Sequence, residues 1–241
     1  ILLLLAPVCY LAVSVFVVLW VCGNGTYPSG SDTMYHVSRG SFVYRSVLEG
    51  CWWPSYDPMW YNGVELLRYW APLPAYFMAL CQALAGGEAL NGYLIFVGMV
   101  CFLGALPWLY IGFQTGRPWL GAAVGVLWFF MPNNLRTLFL EGNLARSLSM
   151  VFLPLFFYFC GSYLERPRRT HQLGTALSFA LITLCHLGYG GMVALGALLY
   201  FLLHRIIVRR RGVVLPLIGA MGAGFLLLGV WVCPSLVGGM T

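Results

Sequence analysis

Ser31–Trp70 reads SDTMYHVSRGSFVYRSVLEGCWWPSYDPMWYNGVELLRYW, a polar island between long apolar runs. It carries Asp32, Glu49, Asp57 and Glu65, four of the seven acidic residues of the chain, together with His36, Arg39, Arg45 and Arg68. It is also dense in rings: Tyr35, Phe42, Tyr44, Trp52, Trp53, Tyr56, Trp60, Tyr61, Tyr69 and Trp70. A freely solvated loop does not suit such rings. A segment at a membrane interface does, because there each ring has one apolar and one wet side.

Outward from the island the chain turns apolar. It is 61% hydrophobic and only 8% charged, where a soluble domain carries about 25% charged residues. Mean hydropathy is +0.83. These values exclude a soluble globular domain and point to an integral membrane protein. A spanning helix needs about 20 apolar residues. Candidate runs are 1–22, 92–113, 117–132, 147–164, 172–187, 190–208 and 213–233. The first lacks a basic start and a small-residue cleavage site, so it reads as a spanning helix and not as a signal peptide. The run 71–86, with Pro72 and Pro74 at its start, is too short to span and reads as interfacial or half-inserted. The expected fold is all-α: a polytopic transmembrane helical bundle with interfacial helices in the first outer loop. One transmembrane domain covers 1–241 as a piece of a longer chain, and 23–91 forms that first loop.

Arginine sets the orientation, because it favours the cytoplasmic side. Arg166, Arg168 and Arg169 form one cluster; Arg205, Arg209, Arg210 and Arg211 form another. With both inside, the stretch 170–204 must cross an even number of times. As one helix it would be ~52 Å long against a ~30 Å apolar core. It therefore breaks, at His186-Leu187-Gly188-Tyr189-Gly190-Gly191, with His186 and Tyr189 at an outer turn. The same reasoning places 23–91 and a second polar loop, 133–146, outside. The net charge of +6 is all arginine. Its short clusters flank membrane helices, which argues against a nucleic-acid partner and for membrane lipid. The cysteines show no metal-ligand spacing.

Asp32, His36 and Arg39 are spaced to share one face of a helix capped at Ser31. That helix is expected to press Met34, Val37, Tyr44 and Leu48 into lipid and aim the polar three at a cavity, where Asp32 could serve as a general base. The plainer reading makes Asp32 a helix N-terminal residue held by the dipole. Asp57 before Pro58, and Asn62-Gly63, read first as turn formers. Glu141 lies between Arg136 and Arg146, as either a functional acid or a loop ion pair. His186 is a site residue or a satisfied helix end.

The order of motifs resembles a known family. S-D-T-x-x-H (31–36) follows the first membrane helix, then W-P-x-x-D-P-x-W-x-N-G (53–63), P-L-P-x-Y (72–76), E-G-N-L-A-R (141–146) and F-L-P-L (152–155). This resembles the bacterial pyruvoyl-tetrahydropterin-synthase-related polytopic membrane proteins and, through them, the GT-C superfamily of membrane glycosyltransferases. The label carries no implication of pterin chemistry. The resemblance implies a GT-C-like amino-terminal portion in the bacterial inner membrane. It implies transfer of a sugar from a polyprenyl-phosphate carrier to an acceptor on the extracytoplasmic face. Asp32 matches the acid of the first outer loop, which activates the acceptor or binds a divalent metal ion. Glu141 matches a second polar position. The expected catalytic residues are thus Asp32, His36 and Glu141, and the expected substrate-binding residues are Arg39, Asp57, Asn62, Arg68, Asn143, Arg146, His186 and Tyr189. A transporter or lipid flippase, and a non-catalytic membrane scaffold, are the alternatives. Oligomeric state is left open.

Overall fold

The computed structural model describes residues 2–23, 27, 30–60, 62–208 and 212–237. Tyr61 and the arginines at 209–211 lie outside the described residues. Among the described residues the chain is helical, with one isolated antiparallel bridge between Asp57 and Val64.

The helices are α1 (Leu2–Cys22), α2 (Thr33–Leu48), α3 (Leu66–Tyr69), α4 (Pro72–Leu84), α5 (Ala89–Gln114), α6 (Pro118–Phe130), α7 (Pro132–Leu135), a π-helical turn (Arg136–Leu140), α8 (Leu144–Glu165), α9 (Arg169–Cys185), α10 (Leu187–Ile207), α11 (Val214–Leu226) and α12 (Gly229–Val237). Four of them, α1, α5, α8 and α10, are long and apolar enough to cross a membrane, and α11 with α12 adds a fifth span if the bent pair counts as one. Leu3, Leu4 and Trp20 of α1, and Leu195, Leu199 and Ile207 of α10, are more than half exposed, as lipid-facing residues are.

Close approaches give the directions. Val18 packs at Gly98, and the Tyr10 hydroxyl donates to the Ala122 carbonyl at 3.0 Å. Gly112 meets Gly121, and Gly104 meets Trp128, so α6 runs antiparallel to α5. Gly174 lies against Phe159, and Ser149 Oγ donates to the Ile182 carbonyl at 3.2 Å, so α8 and α9 form a second antiparallel pair. One core joins Tyr10, Tyr93, Phe96, Leu144 and Leu148; a second joins Phe156, Phe179, Ile182, Phe201 and Leu217.

Three expected spans come out differently. The helix expected over 117–132 ends at Phe130 after 13 residues, about 20 Å, too short to cross alone. Pro132 has no N–H to continue the ladder, and α7 with the π-helical turn completes the climb. The stretch expected as the loop 133–146 is accordingly mostly helical. Second, α9 has 17 residues and is polar enough to be a core helix, packed against α4, α8, α10 and α11. Third, the run 213–233 breaks between α11 and α12 with a 66° bend. There α12 turns onto α3, where the Trp231 indole donates to the Leu67 carbonyl at 2.6 Å. The run 71–86 is short as expected: α4 has 13 residues.

The apolar face of α2 does not face open surroundings. Val37, Gly40 and Val43 are buried, and Gly40 lets α2 approach Met78 of α4, where a Cβ would sit 2.3 Å from Met78 Cγ. Met34 and Leu48 alone of the expected apolar set are strongly exposed. The pair α2 and α4 forms a layer at the end of the bundle where α1 and α9 finish and α5, α8 and α10 begin.

Candidate functional site

Three chain segments far apart in sequence meet at that end. The N–H groups of Ser31 and Asp32 donate to the carbonyls of Leu140 (3.3 Å) and Glu141 (3.0 Å), and Ser31 Oγ donates to Glu141 O at 2.8 Å. Gly30 and Gly142 make this crossing possible. A Cβ on Gly30 would lie 2.4 Å from the Gly142 nitrogen, and Gly142, at φ +66°, has Thr33 Oγ1 where its own Cβ would be. Asn143 caps α8, its side chain accepting from the Arg146 N–H at 2.9 Å, a bond worth about 1 kcal/mol. His186 is the extended hinge between α9 and α10 and caps the latter, Nδ1 accepting from the Tyr189 N–H at 3.0 Å.

These contacts enclose a cavity of about 350 Å³ lined by Asp32, Tyr35, His36, Arg39, Asn143 and His186, with Tyr69, Trp70 and the apolar face of α4. This volume is within the range of small-molecule sites, about 300–1,000 Å³. Tyr35 and Tyr69, 44% and 63% exposed, mark where it reaches the surface.

The expected shared face of Asp32, His36 and Arg39 is present. Asp32 stands at the N-cap of α2, yet its side chain makes no capping bond. Thr33 Oγ1 instead accepts from the Gly30 N–H at 3.0 Å. The Asp32 carboxylate makes no hydrogen bond or ion pair among the described residues. Arg39 lies over two indoles, 4.0 Å from the Trp70 ring centre and 5.4 Å from that of Trp60, contacts worth about 0.5–2 kcal/mol. Its Nε is buried without a hydrogen-bond partner, and no carboxylate within 4.0 Å pairs with it among the described residues. Burial lowers the Arg39 guanidinium to about 10, with Asp32 pulling the other way, so it stays charged at neutral pH. Burial, then the charges of Arg39 and His186, push His36 down to about 3. Burial likewise lowers His186, and Arg146 adds to the effect. Among the described residues the cavity thus holds one carboxylate, one guanidinium stacked on indoles with no carboxylate within 4.0 Å, and two neutral imidazoles.

The other candidates lie outside it. Both Glu141 carboxylate oxygens are engaged, by Arg136 at 3.1 Å and Arg146 at 3.2 Å. Arg146 also stacks over Tyr189, 5.5 Å from its centre. Asp57 is buried in a turn, where Oδ1 accepts from the Met59 N–H at 3.0 Å, and Asn62 takes φ +67° at the turn's exposed corner. Together they shape the loop that presents Trp60 to Arg39. Arg68 is bound to Glu65 at 2.6 Å and reaches the Ser235 carbonyl. The two tryptophans that hold Arg39 were read from sequence only as interfacial rings; at 21 and 31 positions beyond it, no helical spacing links them. A divalent metal does not fit the donors: among the described residues no three His, Cys, Asp or Glu side chains converge to hold one.

The fold defines a polytopic helical membrane protein with a polar cavity at one end of its bundle. The chain belongs to the 6-pyruvoyl-tetrahydropterin synthase related family of membrane proteins, whose model matches residues 67–241. The match thus takes in α4 through α12 and leaves out the helix that carries Asp32. No curated protein and no solved structure matches the chain.

Proposed function

We propose that the protein transfers a sugar from a polyprenyl-phosphate carrier to an acceptor hydroxyl, with Asp32 as general base, on the extracytoplasmic face of a bacterial inner membrane. One observation carries this reading: a single cavity holds a carboxylate and an arginine that, among the described residues, make no hydrogen bond or ion pair within 4.0 Å. Asp32 takes the proton of the acceptor hydroxyl, a step typically worth about 10²–10⁴ in rate. The acceptor oxygen bonds to the anomeric carbon. The carbon–oxygen bond to phosphate breaks, its electron pair leaving with the phosphate, and the centre inverts. Arg39, held rigid by Trp60 and Trp70, faces the phosphate charge as it develops. Neutral His36, His186 and Asn143 supply hydrogen bonds. Glu141, Arg136 and Arg146 hold the loop beneath the site.

The ionisable residues support an interfacial site over a transport path, because they gather at the ends of the bundle rather than mid-span. Arg117, Arg166, Arg168, Arg169 and Arg205 lie at the end opposite the cavity, which favours a cytoplasmic assignment for that end. Cysteines placed at Ser31 and Asn133 should react with an impermeant thiol reagent in intact cells and one at Arg168 should not; the reverse pattern would turn the site to the cytoplasm. The direct test is incubation with labelled polyprenyl-phosphate sugars. Release of polyprenyl phosphate with sugar appearing on an acceptor is expected. Absence of turnover across a donor panel by a folded protein leaves a non-catalytic scaffold.

A further inference from the structure

The cavity sets one guanidinium, Arg39, against one carboxylate, Asp32, and adds two imidazoles, His36 and His186, that can each take a proton. Among the described residues Arg39 has no carboxylate within 4.0 Å, and its Nε is buried without an acceptor. His36 shares the cavity with Arg39 and His186, both close enough to act on it electrostatically, and is one turn beyond Asp32 on α2. The two imidazoles differ in what a proton would do to them. His186 Nδ1 is already the acceptor that caps α10, so the neutral ring carries its hydrogen on Nε2. Protonating Nδ1 would cost that cap. The His36 ring makes no hydrogen bond among the described residues, and a second proton there breaks nothing.

We propose that the cavity binds a phosphate-class anion together with a proton, Arg39 and His186 Nε2–H holding the anion and His36 accepting the proton from water. The ligand class rests on the sugar-transfer reading; the coupling rests on the arrangement of Arg39, His36 and His186. The groups facing His36 are few. From α2 they are Asp32, Tyr35 and Arg39; from α3, Tyr69; from the α9–α10 junction, Cys185 and His186; α4 contributes only apolar lining, and from α8 Arg146 acts through His186. Burial first, and then the charges of Arg39 and His186, keep His36 neutral. A bound anion offsets the charge effect, since it favours the protonated ring. A phosphate monoester, the product of sugar transfer, can carry two charges, so it recruits the proton more strongly than the singly charged donor diester. Product release is then linked to loss of the proton.

The test is calorimetry on the purified protein in detergent near pH 6, with farnesyl phosphate, inorganic phosphate and farnesol as separate probes. Each is titrated in two buffers of unlike ionisation enthalpy. Farnesyl phosphate is expected to bind with uptake of roughly one proton per site, as linkage requires of a group protonated only in the complex. His36→Gln should lose most of the proton uptake and, by the same linkage, bind farnesyl phosphate more weakly than the wild type near pH 6 while approaching it at pH 8. Arg39→Gln should lose binding at least tenfold at both pH values. Thermal unfolding at pH 8 certifies that each variant is folded. Equal uptake with inorganic phosphate supports the coupling and assigns it to a free anion; uptake with farnesyl phosphate alone assigns it to a lipid headgroup. Binding without proton uptake, undiminished uptake in His36→Gln, or binding of farnesol as tight as farnesyl phosphate would overturn the proposal. Proton-linked binding by a protein that turns over no sugar donor removes the transferase reading alone.

Discussion

The N–H of Asp32 donates to the carbonyl of Glu141 at 3.0 Å. Two acids 109 positions apart thereby share a backbone bond while their side chains part. The Asp32 carboxylate lines the cavity, and that of Glu141 turns to Arg136 and Arg146. This relationship separates a candidate reacting group from a candidate strut, and substitutions can test each.

Asp32→Asn should leave folding almost unchanged. The aspartate side chain makes no capping bond at this helix start, and Asn serves about as well as Asp at such a position. Sugar transfer should fall by roughly a hundredfold or more, the scale of a lost general base. Equal activity in both proteins, measured by donor turnover alongside thermal unfolding, would remove Asp32 from the chemistry.

Glu141→Gln should behave in the opposite way. It removes two ion pairs at partly exposed positions, a loss of about 1 kcal/mol or less for each. A small drop in unfolding temperature is expected, with transfer retained to within about tenfold, the factor that corresponds to roughly 1.4 kcal/mol. A loss as deep as that of Asp32→Asn would make Glu141 a second reacting group.

Gly142→Ala should be far more harmful than its size suggests. The residue sits at φ +66°, and its new Cβ would fall 2.2 Å from Thr33 Oγ1 and 2.7 Å from Thr33 N. The backbone crossing with Gly30 must then open. Destabilisation of several kcal/mol is expected, since strain and steric overlap add. Gly161→Ala, where a Cβ meets nothing within 4 Å, is the matched control on a helix. Similar unfolding temperatures for the two variants would show that the crossing is not tight.

Acid should loosen the fold through His36. Its pKa falls from 6.5 in the unfolded chain to about 3 in the folded one. Between those values the unfolded state binds the additional proton, so this group's contribution is present above pH 6.5 and is lost progressively as pH falls toward 3. His36→Gln should flatten the dependence of unfolding temperature on pH across that window. Curves of identical slope for the two proteins would show that His36 is not held neutral.

Much of this was open to a reader of the chain alone. Hydropathy establishes the membrane class, because burying ~20 apolar residues in lipid needs no tertiary partner to be favourable. The 32–36–39 spacing puts Asp32, His36 and Arg39 on one face, because helical periodicity is a local property. The break at His186 follows from a length that no single span can take up. Other features are decided only by contacts between distant segments. Glu141 and Asp32 look alike in composition, and it is the Gly30–Gly142 crossing that points one into the cavity and leaves the other to arginines. Trp60 and Trp70 carry no spacing signal toward Arg39, since the loop closed by Asp57 and Val64 brings the first there and the end of α3 brings the second. The bend between α11 and α12 lies inside an unbroken apolar run, where hydropathy is the same for a straight span and a folded one. Its direction depends on Trp231 finding the Leu67 carbonyl, a hydrogen bond between residues 164 positions apart that no local pattern encodes.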